Sequence, residues 1–262
     1  MNTDLPPITT NFLRASYERR QFSFGNPQAK QTVCLIGSCR IVPFLNHLRA
    51  YNAIHGDPFE LMCFNPVEMW EGRAGCEVSD GVNKILQGHQ IGKVDYLLCE
   101  HLERCGVLNT VRSSHENIFD SLGCSAAVEM HLPNWNNMHV LDAETAMHDR
   151  DGYAKMPHAE RVAFIREQTA IHKARFLSHC RGCSFPELEA WVSEHWLTVR
   201  MGCSSCHPSH PLLRRMFECV AGRMGLNITS ELAAHPLCAT EVYEPTAIPL
   251  TEVDYEANNW RF

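Results

Sequence analysis

Cys39 is the residue whose type and setting point most directly to chemistry. It stands on the turn Gly37-Ser38-Cys39, between an apolar run from Val33 to Ile36 and a stretch where Ile41, Phe44, Leu45 and Leu48 fall at helical spacing. The spacing predicts strand, tight turn, helix, with Pro43 tolerated because it lies in the first helical turn. A thiol at a helix N-terminus meets unsatisfied N–H groups and a dipole that favour the thiolate. The same amides can hold a phosphate or a developing oxyanion. Strand, turn and helix in this order are where nucleophile elbows sit. Arg40 can favour the thiolate or contact an anionic ligand, or it can be a solvated surface arginine. Cys39 is one of thirteen cysteines, and a cysteine is more often a small buried residue than a nucleophile.

A thiolate needs a partner to carry protons, normally a histidine. Fifteen histidines are too many to choose among by number. The best setting is Ser204-Ser205-Cys206-His207-Pro208-Ser209-His210-Pro211, directly before an amphipathic helix. Spacing does not decide between His207 and His210, and both could equally be polar residues of a turn.

Metal is a rival use of the same region. Cys180-x-x-Cys183 and Cys203-x-x-Cys206 are separated by 19 residues, with His179 and His207 beside them, which matches a four-cysteine zinc pattern. The intervening residues read as an amphipathic helix rather than zinc-ribbon hairpins, and pairs of this kind arise by chance in a cysteine-rich chain. Zinc is therefore the less favoured reading. It would be a staple, not a catalyst.

The elements that must position these groups alternate. Strands are expected at Val33–Ile36, Glu60–Phe64, Val94–Cys99 and Ala126–Leu132, with a fifth at Leu197–Met201. Helices are expected from Ile41, from Ser79 or Asp80 to Leu86, and at Ser113–Leu122, Pro157–His179, Phe185–Trp196 (capped by Ser184) and Leu212–Met224. That alternation predicts an α/β fold with a mainly parallel five-stranded sheet covered on both faces, and a helical C-terminal half. Residues 1–30 read as an irregular leader, 31–226 as the α/β domain and 227–262 as an extended tail with room for one short helix. Ligands of such sheets bind at the carboxyl ends of the strands, where Cys39, Glu100 and Asn134 all follow strand ends.

Composition sets the outer limits. The 262 residues carry a net charge of -7, which argues against a general nucleic-acid or anionic-membrane binder. No apolar run has membrane-spanning length, and the N-terminus lacks a signal-peptide core. An odd number of cysteines scattered through strands and helices fits a reducing compartment, so a cytoplasmic protein is expected.

Four segments together resemble a known family: IGSC at 36–39, VDYLLCE at 94–100, MHLPNW at 130–135 and HPSHPLLRRMFECVAGRMGL at 207–226, with FPELEAWVSEHW preceding the last. They are similar to the WcbI-like polysaccharide-biosynthesis acetyltransferases, over roughly residues 30–230. GSC followed by FNP at 64–66 also resembles the GSCFA family. The resemblance implies an SGNH-hydrolase-like, flavodoxin-like three-layer sandwich, with Cys39 where SGNH enzymes carry their serine nucleophile. It places the family's histidine on His207, with Ser204 where an SGNH enzyme has aspartate. It also implies coenzyme A or acetyl-CoA as co-substrate and a sugar of a polysaccharide precursor as acceptor. The amides of Ser38 and Cys39, with Asn134, would serve an oxyanion; Arg40, Ser38 and His210 would serve the coenzyme. Hydrolysis is the alternative outcome, and a homo-oligomer stays open. Three positions depart from the family pattern: Ser38 and Arg40 flank the cysteine where amides are usual, and Glu100 stands where glutamine is expected.

Overall fold

The structure is a computed structural model that describes residues 5–65, 92–100, 125–133, 140–204, 206–239, 243 and 247–262. The helices expected at 79–86 and 113–122, and Asn134, lie outside the described residues. The chain divides into two compact units, Met1–Leu132 with Val220–Thr240, and Pro133–Cys219 with Glu241–Phe262. The α/β domain expected over 31–226 takes in residues of both units.

The first unit is built on a parallel sheet. Its strands are β1 (Gln31–Ile36), β2 (Phe59–Phe64), β3 (Lys93–Glu100) and β4 (Ser125–Leu132), in the order β2-β1-β3-β4. Val33, Cys34, Leu35 and Ile36 are fully buried, as an uninterrupted apolar run in an inner strand requires. From β1 the chain crosses to β2 on one side, and then returns to β3 on the other side of β1. That reversal is the topological switch point, where the carboxyl ends of β1 and β3 border a crevice.

A 3₁₀ turn (Cys39–Ile41) leads from β1 into helix α2 (Val42–His55), with Pro43 in the first turn as its fixed φ demands. Gly56 ends α2 in the left-handed region, at φ 76°. The polar residues that α2 buries are matched by partners. Asn46 exchanges hydrogen bonds with the backbone of Ile8, Asn52 with that of Phe59, and His47 Nδ1 lies 2.6 Å from the Pro43 carbonyl.

From residue 5 on, the leader packs against the sheet. Helix α1 (Thr10–Glu18) is capped by Thr9, and Tyr17 donates its hydroxyl to the Cys63 carbonyl while accepting from Asn65 N–H. Phe22 stacks between Tyr17 and Phe64. The Phe24 N–H and the Phe22 carbonyl pair with Leu61 and Cys63, which covers that edge of β2.

The second unit is helical: α3 (Asp142–His148), α4 (His158–Gly182), α5 (Glu187–His195), the first part of α6 (His210–Met224) and α9 (Glu252–Asn258). The rest of α6, with α7 (Ser230–Ala234) and α8 (Pro236–Ala239), belongs to the first unit, where α7 and α8 pack on α2. Among the described residues the expected extended tail contains three short helices. Helix α4 buries Val162, Ile165, Thr169, Phe176 and Cys180, a stripe three, four or seven residues apart. Pro157 is its N-cap rather than its first residue. Pro186, not Ser184, occupies the N-cap of α5.

The expected fifth strand is absent, and the described sheet has four strands. After α5 the N–H groups of Thr198 and Val199 turn back onto the His195 carbonyl, so 197–199 is a turn. The one ladder contact that follows is an isolated bridge, Gly202 to Pro208. An apolar run of five residues cannot by itself distinguish a strand from a packed turn. No described helix is long and apolar enough to cross a membrane.

A buried polar knot ties α3 to α9. The Asp142 carboxylate accepts from Arg161 Nε (2.9 Å) and its terminal nitrogen (2.6 Å), from the Tyr153 hydroxyl (2.7 Å) and from Thr251 Oγ1 (2.8 Å). Asp254 accepts from the Asp142 and Thr251 N–H groups, and Thr251 with Asp254 forms a capping box on α9. Burial pushes the Asp142 carboxyl up, but the hydrogen bonds from Arg161, Tyr153 and Thr251 outweigh it and hold it below the usual range. Burial wins at Asp254, which is raised.

Because the folded value of Asp142 lies below the unfolded one, its contribution is complete above about pH 4 and is lost as pH falls through the folded value. Asp142→Ala is expected to lower stability by about 3 kcal/mol at neutral pH. Urea unfolding at pH 7 and in acid measures it, and the gap from wild type should narrow in acid.

Candidate active site

The turn after β1 is clamped by the end of β3. Pairing of Ile36 with Cys99 sets Gly37 beside Glu100. Glu100 Oε2 accepts from the Ser38 N–H at 2.8 Å and from the Ser38 hydroxyl at 2.7 Å. Its other oxygen lies 2.5 Å from a terminal nitrogen of Arg40, whose Nε donates to Ser38 Oγ at 3.0 Å. The Ser38 oxygen also receives the Arg40 N–H at 3.4 Å, as the N-cap of the 3₁₀ turn.

Arg40 and Glu100 are each 3% exposed, so this is a desolvated ion pair, in which Glu100 Oε1 meets the guanidinium by charge contact without a formed hydrogen bond. Gly37 donates to the Phe64 carbonyl at 3.1 Å, and a Cβ on it would come within 2.9 Å of the Glu100 Cβ. Only glycine lets the two strand ends approach this closely.

Cys39 is the first residue of the 3₁₀ turn that this clamp holds, half-buried and at the β1/β3 switch point. Three other thiols are held protonated by burial. Burial pushes Cys63 and Cys219 each up to about 12 and raises Cys180 as well. The Ser38 amide, a sequence candidate for oxyanion binding, is directed at Glu100. The Arg40 guanidinium, a sequence candidate for a coenzyme phosphate, is directed at Glu100 and Ser38, with its side chain 4% exposed.

His207 belongs to the second unit, on a built loop. The Cys203 N–H donates to the His207 carbonyl at 3.0 Å, and Arg200 forks onto the carbonyls of Gly202, Cys203 and Ile248. Ser209 N–H and Oγ close the loop on Met201 and Arg200, and the Ser209 carbonyl accepts from Leu213 in the first turn of α6.

Within the loop, Ser204 Oγ lies 3.1 Å from His207 Nδ1 and accepts the N–H groups of Cys206 and His207. The imidazole stacks on Tyr243, with ring centroids 4.4 Å apart and planes at 25°. Ser204 therefore fixes the ring from the position expected of an aspartate. Being neutral, it orients the ring but gives an imidazolium no counter-charge. His210, half-buried, opens α6 three residues further on.

The four cysteines of the zinc alternative do not converge. Cys183 donates to the Cys180 carbonyl and accepts from Phe185 N–H, Cys203 faces the His207 and Pro208 carbonyls, and Cys206 is exposed. Among the described residues no group of three or more His, Cys, Asp or Glu is arranged to hold a metal.

Sequence reasoning missed two things. Ser38, Arg40 and Glu100 each read as a departure, and their compensation was visible in principle: opposite charges at the ends of two neighbouring strands. Tyr243 gave no signal, since nothing local in a proline-rich tail marks a stacking partner for a ring 36 residues earlier.

No family model matches the chain, and no curated protein matches it. A solved structure that does match is that of WcbI, a polysaccharide biosynthesis enzyme, in a native form without a disulfide bond between coenzyme A and one of its cysteines. The two chains are 14% identical, the match covers 88% of this chain and 80% of WcbI, and the TM-score is 0.54. At that identity the likeness establishes a shared fold: a parallel-sheet α/β core with many helices.

Proposed function

We propose that this protein is an enzyme of polysaccharide biosynthesis that transfers an acyl group, acetyl in the simplest case, from a coenzyme A thioester to a sugar hydroxyl, on an SGNH-like arrangement. The observation that carries this reading is the half-buried Cys39 at the β1/β3 switch point, on a turn clamped from below, in a fold shared with an enzyme whose structure concerns coenzyme A and a cysteine.

In this reading the Cys39 thiolate attacks the thioester carbonyl. A new Cys39 S–C bond forms, the coenzyme S–C bond breaks, and coenzyme A leaves as the thiol after taking up a proton. The sugar hydroxyl then takes the acyl group, loses its proton and regenerates the Cys39 thiolate. The Cys39 N–H is the turn's candidate donor to developing negative charge, because the N–H groups of Ser38, Arg40, Ile41 and Val42 are given to Glu100, the Ser38 hydroxyl, the Ser38 carbonyl and the Cys39 carbonyl. Asn134 stays a candidate donor. His207, held through Nδ1 by Ser204, is the second unit's candidate general base and acid, with His210 as its rival. Arg40 holds the turn through Glu100, which leaves the coenzyme phosphates to other groups.

Release of free thiol from acetyl-CoA, followed with and without a panel of nucleotide sugars and oligosaccharides, tests the reading. Acceptor-dependent release is expected. Acceptor-independent release with acetate as product would make the protein a hydrolase, and no release under either condition would remove thioester chemistry.

A further inference from the structure

We infer that Glu100 is a positioning residue for the Cys39 turn, acting through Ser38 and Arg40, and that Glu100 and Arg40 as a pair set the charge the Cys39 thiol meets. The inference rests on reading Cys39 as the reactive thiol, but its test needs neither coenzyme nor acceptor.

One carboxylate at the end of β3 takes both the N–H and the hydroxyl of the residue before Cys39 and the guanidinium of the residue after it. The Ser38 hydroxyl links the two charges by donating to Glu100 while accepting from Arg40 Nε. Arg40 and Glu100 are both buried, with side chains 4% and 0% exposed, so water screens neither charge. The Gly37 backbone closes the space beneath, where even a Cβ would meet the Glu100 Cβ at 2.9 Å, so the carboxylate cannot slide along the turn.

Among the described residues, Arg40, on the turn itself, and Glu100, from the neighbouring strand, bring opposite charges to the turn. Alone, the cation would favour the thiolate; alone, the carboxylate would oppose it. Together they hold the turn in place, and each charge acts on the thiol with the opposite sign. Sequence comparison one position at a time sees three unrelated exchanges here. The geometry makes them one unit in which a change at any member requires a change at another.

The experiment is alkylation of Cys39 by iodoacetamide across pH, resolved by mass spectrometry of the peptide that carries it, in wild type, Glu100→Gln, Arg40→Met and the double variant. Glu100→Gln is expected to move the midpoint of the rate–pH curve down by at least about half a pH unit, and Arg40→Met to move it up by a similar amount. Opposite signs are what a purely structural role would not give. Single variants that fold, by circular dichroism, but shift together or not at all overturn the inference.

The double variant leaves no unpaired buried charge and keeps the test decisive if a single variant fails to fold. Its midpoint should lie near wild type, and its rate at high pH should differ at least about threefold because the anchor of the turn is gone. A double variant with wild-type midpoint and wild-type rate also overturns the inference. Acyl transfer can fail while these shifts appear, or succeed without them, so the two readings fall separately.

Discussion

Replacing Cys39 by alanine is expected to lower acyl transfer from acetyl-CoA roughly 10³-fold or more, because the covalent route loses the atom that forms the bond. The loss should appear in kcat rather than KM, since the sulfur acts on the carbonyl and contributes little to holding the coenzyme. The fold should survive. The Ser38–Arg40–Glu100 hydrogen bonds that hold the turn do not use the Cys39 sulfur, and removing one half-buried sulfur costs about 1 kcal/mol or less. Nor can Cys63, Cys180 or Cys219 stand in, because burial keeps each of them protonated at neutral pH. Initial rates of thiol release on the folded variant check this, and a rate within threefold of wild type would take the cysteine out of the reaction.

The second large effect is expected at His207. Glutamine there keeps a polar side chain of similar reach but cannot cycle a proton near neutral pH, so transfer should fall roughly 10²- to 10⁴-fold. The limb of the rate–pH profile that reports the base should vanish with it. The informative contrast is His210→Gln. A loss confined to His207 fits the ring held by Ser204 at Nδ1 and stacked on Tyr243. An equal or greater loss at His210 would move the role three residues along, to the first residue of α6. Ser204→Ala should fall between wild type and His207→Gln, because it frees the ring without removing it.

Much of the framework was legible because its signals are local. Four strands ended within one residue of where apolar runs met a glycine, a proline or a polar residue, and α2 and α6 followed their period. The elbow was legible for the same reason. What misled was equally physical. Leu197–Met201 has strand composition, yet it is held as a turn and loop entry by hydrogen bonds to His195 and Ser209, which no periodicity announces. The leader looked irregular because its order comes from partners far along the chain, Tyr17 on Cys63 and Ile8 on Asn46. The two cysteine pairs did not mislead, since zinc was already the less favoured reading, and the sulfurs of Cys183 and Cys203 face carbonyls and an amide of their own loops.

The candidate site was legible residue by residue and not as an arrangement. Arg40 next to a cysteine suggests an anion contact, and Glu100 at a strand end suggests an odd substitution. Only the register of β1 against β3, Ile36 beside Cys99, shows that the two residues meet and neutralise each other. Charge at a reactive turn is a property of pairs. A single sequence displays the members but not the pairing.

The most direct test of thioester chemistry at Cys39 is rapid acid quenching of the protein with acetyl-CoA in the absence of acceptor, followed by mass spectrometry of the peptide containing residues 37–41. An acetyl group on Cys39, formed at the rate of thiol release and discharged when the sugar acceptor is added, is the expected result. Thiol release at full rate with no acyl group on Cys39 at any time would contradict it.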